Sequence, residues 1–121
     1  MAPAVMSMPE VMNCATPNLC FLGMITAERL ADDQEYNDLV DDLRYHCNEV
    51  VPNSVVDVKV PRPYDPLLAN QYIGIGNYGK AFLKFVDSEA AQACKDKTHG
   101  RLYGGYVVYV YYISDGAFSG A

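Results

Sequence analysis

The chain has 121 residues, half of them hydrophobic, which suits one domain with a core of its own rather than two. A formal net charge of −6 and a pI near 4.6 make long-range attraction to a phosphate backbone unfavourable, so a basic partner is the better electrostatic match. Cys14, Cys20, Cys47 and Cys94 form no Cys-x-x-Cys pair and His46 and His99 lie far apart, so zinc-ligand spacing is absent. The expectation is buried free thiols, no metal and no cofactor.

Residues 1–18 hold four Met, three Pro and no Lys or Arg. Pro3, Pro9 and Pro17 interrupt any apolar stretch and no basic start precedes them, so this is not a secretory signal but a flexible leader or linker. No run approaches the roughly 20 apolar residues that cross a bilayer, and the reading is a soluble intracellular domain without a membrane partner.

Residues 19–25 (LCFLGMI) form a short apolar run suited to a buried strand. Asp32 and Glu35 then make an Asp-x-x-Glu capping box. Tyr36, Leu39, Val40, Leu43 and Cys47 recur at helical spacing and paint one face, and the helix should stop by Pro52-Asn53. Residues 54–60 alternate as a strand; Pro61, Pro63 and Pro66 end it, and a loop runs to about Tyr78. Residues 79–86 are the third strand, and Asp87 caps a helix through Lys97 that packs Ala90, Ala91 and Cys94. Residues 106–113 are a β-branched and aromatic strand, and the tail 114–121, with Asp115 and Phe118, has room for one helical turn.

The order strand-helix-strand-strand-helix-strand predicts an α+β, ferredoxin-like domain over residues 19–113. It has a four-stranded antiparallel sheet, two helices on one face and the other face open. This is the fold of the RNA-recognition motif, which stacks bases on aromatic side chains of its central strands. Its third-strand consensus is K/R-G-F/Y-G/A-F-V-x-F/Y; here the segment is Tyr78-Gly79-Lys80-Ala81-Phe82-Leu83-Lys84-Phe85. Gly79, Leu83 and Phe85 keep the scaffold, but the first stacking aromatic is Lys80, and the outward position on the first strand is Cys20. Only Phe82 remains of three platforms, a loss of about 2–6 kcal/mol of stacking. Lys80 and Lys84 read first as solubilising, and an RNA-binding alternative would use Phe82, Lys80 and Tyr109, or Tyr111.

The second helix hands over to the last strand through Gly100-Arg101-Leu102-Tyr103-Gly104-Gly105-Tyr106. The long helix carries Glu35, Asp38, Asp41 and Asp42 off its core stripe; Asp38 and Asp42, four apart, share a face that His46 continues. Gly74-x-Gly76-x-x-Gly79 lacks the preceding strand and following helix of a dinucleotide site. No His-Cys, His-Ser or carboxylate pair stands at catalytic spacing, so an enzyme is not expected.

Together residues 19–24 (LCFLGM), 32–36 (DDQEY), Val60-Pro61-Arg62-Pro63 and the Arg101-x-Tyr103 loop resemble the U2AF homology motif, the peptide-binding variant of the RNA-recognition motif. The domain it most resembles is the C-terminal one of the U2 auxiliary factor large subunit. The resemblance implies a nuclear splicing protein whose loop Arg101, Leu102 and Tyr103 form a pocket for a ligand tryptophan. Arg101 and Tyr103 would flank the indole, while Glu35, Asp38, Asp42 and His46 face the ligand's basic residues. It implies partners such as the branch-point-binding splicing factor or the scaffold subunit of splicing factor three b, with RNA contacted by other domains of the parent protein. Tyr103 stands where the family has Phe, and His46 where it has a Glu that pairs the loop arginine. The expectation is therefore that Arg101 pairs with Asp42 or is held less firmly.

Overall fold

The computed structural model describes residues 11–121. In chain order its elements are β1 (Asn18–Leu22), α1 (Ala27–Ala31), α2 (Asp33–Val50), β2 (Val55–Lys59), a 3-10 turn (Pro66–Leu68), α3 (Ala69–Tyr72), β3 (Lys80–Phe85), α4 (Ser88–Thr98), β4 (Leu102–Tyr103), β5 (Tyr106–Val107), β6 (Tyr109–Ile113) and α5 (Asp115–Ser119). The sheet is antiparallel in the order β2-β3-β1-β6, so β1 and β3 lie in its middle. Strand alternation sorts the side chains. Leu19, Phe21, Leu83, Phe85 and Val110 enter the core beneath the helices, and Cys20, Phe82 and Ile113 face the other way.

The helices follow from local chemistry. The Asp32 carboxylate accepts the Glu35 N–H at 2.9 Å to start α2, and Asp87 accepts the Ala90 N–H at 2.8 Å to start α4. Leu39, Leu43 and Cys47 of α2 meet the small Ala90, Ala91 and Cys94 of α4 in the core. There the Cys47 and Cys94 sulfurs stand 2.7 Å apart, both thiols free. Donating its proton to Cys94, and burial, push the Cys47 thiol far up.

Four features add to the sequence expectation. Asp32 is extended (φ −95°, ψ 126°), so it ends a separate helix α1, itself capped by Thr26, before starting α2. The connection 61–78 carries the 3-10 turn, capped by Asp65, and α3. The run expected as one strand over 106–113 is divided: Gly104 (φ 57°) and Gly105 (φ 89°) turn a β4–β5 hairpin ahead of β6. Residues 115–119 form α5, which lies over the face expected to be open. Of the leader expected at 1–18, residues 1–10 lie outside the described residues. Beyond them, Val11 bridges Ile113, and Met12 N–H donates to the Tyr112 carbonyl at 2.9 Å.

Candidate functional site

On the sheet face, Phe118 of α5 is 4% exposed and packs on Cys20, Phe82 and Ile113. Lys59 Nζ donates to the Phe118 carbonyl at 3.0 Å and stands 4.5 Å from its ring centroid; Lys84 Nζ stands 5.3 Å away. The start of the helix is tied down by Asn18 Nδ2 donating to Asp115 Oδ1 at 2.7 Å, with Lys84 at 3.6 Å. That hydrogen bond, and then the Lys84 charge, hold the Asp115 carboxyl below its ordinary range.

Two residues of the RNA alternative are therefore corrected. Phe82 is fully buried beneath Phe118 and offers no stacking surface. Lys80 is fully buried too, donating to Asn77 Oδ1 at 3.3 Å, so it does not solubilise the face. Burial lowers its ammonium pKa, and the same desolvation pushes the Cys20 thiol up to about 12. Tyr109 remains exposed, edge-on to His99 with centroids 5.9 Å apart.

At the sheet's end, Tyr103 is half-buried and packs against the core. Its hairpin rests on Gly23, whose φ of +97° leaves no room for a Cβ against the Val107 carbonyl. Beside Tyr103, Arg29 Nη2 pairs with Asp42 Oδ2 at 3.5 Å. The Tyr103 phenol titrates high, foremost through burial and then through the Asp42 charge, with Arg29 opposing. Met24, Arg29, Glu35, Tyr103, Gly104 and Tyr106 line a pocket of about 260 Å³. Two wider clefts, about 560 and 360 Å³, flank Ala31 and Leu67; carboxylates line them, but no aromatic wall does.

The Arg101–Asp42 pair expected from the sequence is not made. Arg101 is exposed and has no ion pair among the described residues. Its backbone is fixed instead, N–H to the Thr98 carbonyl at 3.1 Å and carbonyl to the Val108 N–H at 2.9 Å. Arg29 takes Asp42 because the break at Asp32 lets α1 fold back beside α2 as a separate helix. The signal for it was Thr26, a helix cap three residues before Arg29. His46 Nε2 lies 2.9 Å from Thr98 Oγ1 and ties α2 to α4. Glu35 reaches the pocket, Asp38 accepts from Gln34 Nε2 at 2.9 Å, and Leu102 is exposed.

The Val60-Pro61-Arg62-Pro63 segment is a clasp. Arg62 Nε donates to the Leu30 carbonyl and Nη2 to Asp33, both at 2.6 Å, and its guanidinium lies 4.5 Å from the Tyr36 ring centroid. Tyr36 in turn donates to the Val60 carbonyl at 2.6 Å. One side chain thus joins the end of α1 to the start of α2, the helix that bears the acidic row.

The chain is similar to a U2af large-subunit splicing factor of Oryza sativa subsp. japonica, 31% identical over 106 residues that cover 88% of this chain and 18% of the relative. It is similar to U2af large-subunit splicing factors of Triticum aestivum, 33% identical over 80% of this chain and 17% of the relative, and of Arabidopsis thaliana, 31% identical over 84% and 17%. The homologues of this chain are U2af large subunits, in agreement with a U2AF homology motif. The chain spans less than a fifth of the length of these curated relatives. No protein-family model matches it. A solved RNA15 RRM structure, 19% identical, superposes with a TM-score of 0.56 over 88% of this chain and 99% of that one, which fixes the fold of the motif as that of an RNA-recognition motif.

Proposed function

We propose that this U2AF homology motif is a nuclear protein-interaction module of pre-mRNA splicing, holding a tryptophan-containing basic segment of a partner splicing factor during 3′ splice-site recognition. The partner would be of the branch-point-binding or splicing factor three b scaffold kind. The observation that carries this reading is the burial of Phe82 beneath Phe118, while the pocket at Tyr103 stands open beside an acidic helix. Tyr103 and Tyr106 give an indole aromatic walls, each ring pair worth about 0.5–1.5 kcal/mol beyond area. Arg101, free of any ion pair among the described residues, can close over the indole face for about 0.5–2 kcal/mol. Glu35 and Asp38 attract the flanking cations, which mostly speeds association. The relatives are named splicing factors, and no catalytic step is proposed.

Calorimetric titration with a synthetic basic peptide containing a single tryptophan tests this. Binding is expected in wild type, lost in Tyr103→Ala and weakened in Arg101→Ala, while a polypyrimidine RNA binds far more weakly. Tight RNA binding with no peptide binding would overturn the proposal in favour of an RNA-reading domain.

A further inference from the structure

The acidic row on α2 is not uniformly available. Asp42 is already paired with Arg29 at 3.5 Å, whereas Asp38 accepts only from the neutral Gln34 amide, and Glu35 has no ion pair among the described residues. The two partners are unequally placed: the Arg29 side chain is 23% exposed and Asp42 56%. Arg29 is wedged in the pocket wall with Met24, Tyr103 and Glu35, so the cation is held and the acid is the exposed member. A carboxylate whose charge is balanced at contact distance attracts a second cation weakly, because the incoming charge meets attraction and repulsion of similar size.

We infer that Arg29 is a resident stand-in for a ligand cation, which occupies Asp42 and so selects peptides whose positive charges lie opposite Glu35 and Asp38. This rests on the peptide-binding reading and deepens it: Arg29 sets the register of charge that the site accepts. It also explains why the loop arginine is left without an acid. Asp42, the carboxylate expected for Arg101, is committed to a cation from α1.

The experiment is a double-mutant cycle on the whole domain, with Arg29→Gln, Asp42→Asn and the double variant titrated against a synthetic peptide of one tryptophan flanked by arginines, at two salt concentrations. Arg29→Gln is expected to tighten binding about two- to five-fold, the worth of one partly exposed ion pair, and to steepen its salt dependence. Asp42→Asn alone leaves the Arg29 charge unbalanced and should weaken binding about two- to five-fold, while the double variant, again without net charge there, should return to within about two-fold of wild type. A peptide-free readout accompanies it: by NMR, the Tyr103 phenol should titrate higher in Arg29→Gln, since the lost cation favoured the phenolate. Unchanged affinity in Asp42→Asn, weaker binding in Arg29→Gln, a double variant that binds no better than Asp42→Asn, or an unmoved Tyr103 titration would each overturn the inference and leave the peptide reading standing. Absence of peptide binding in every variant would overturn both.

Discussion

Replacing Phe118 by Ala should open the sheet. Fully burying a Phe side chain is worth about 1.5–3 kcal/mol, and Lys59 over its ring, 4.5 Å from the centroid, adds about 0.5–1 kcal/mol. The five-residue α5 cannot persist as an isolated helix, so its docking depends on that sum, about 2–4 kcal/mol. At about 1.4 kcal/mol per factor of ten, this is a roughly 30- to 700-fold preference for the docked state. Cys20 reports on it directly, because its thiol lies under Phe118 with its pKa pushed up to about 12 by burial. In a Cys14→Ser background, which removes the exposed thiol, Phe118→Ala should speed modification of Cys20 by a colorimetric disulfide reagent by up to that factor. The reasoning fails if Cys20 stays as protected in Phe118→Ala as in wild type, or if the wild-type thiol already reacts at the rate of an open one.

Other perturbations probe the supports of the site. Arg62→Ala removes two charge-assisted contacts at 2.6 Å and should lower unfolding free energy by about 2–3 kcal/mol in urea denaturation, with Arg62→Lys recovering little because an ammonium cannot span the fork. Gly23→Ala meets both a φ of +97° and the Val107 carbonyl, so it should cost about 1–3 kcal/mol and weaken peptide binding by displacing the hairpin of Tyr103. The folded-state pKa of Asp115 is lowered, so its contribution to α5 docking is present above the ordinary value of 3.8 and is lost as pH falls through the folded value. Acidification should therefore shift the Asn18 side-chain amide resonances in wild type and leave them unmoved in Asp115→Asn.

The sequence made α2 legible because a capping box and a three-four apolar repeat agree over many turns, and β1 and β3 legible because alternation assigns every side chain to a face. It did not make α1 legible: a helix of five residues is too short for periodicity, and its one marker, Thr26, resembles any loop threonine. Gly104-Gly105 was a hairpin signal in plain view, outweighed by the unbroken β-propensity of residues 106–113. Alternation put Phe82 and Lys80 on the outer face, yet the burial of Phe82 depends on Phe118, over thirty positions later, which no local pattern encodes. The Asp42 pairing of the loop arginine was illegible for a similar reason. Its residue type was legible, but the acid it was to meet is taken by Arg29, a contact between two helices whose separation turns on the backbone angles of Asp32.

The distribution of cations argues the same way as the closed face. Of nine Lys and Arg residues, Lys59, Lys80 and Lys84 lie where a single strand of RNA would cross the sheet. All three are spent inside the molecule: Lys59 on Phe118, Lys84 on Asp115 and the same ring, Lys80 buried against Asn77. Salt-dependent binding to a phosphate backbone needs cations that exchange condensed counterions, and a buried or internally paired ammonium releases none. Uncovering the face would return one stacking ring with Lys59 and Lys84, whereas the Tyr103 pocket needs no such rearrangement. The same α5 contact that covers one surface therefore leaves the edge beside α2 with an open aromatic wall and unneutralised charge.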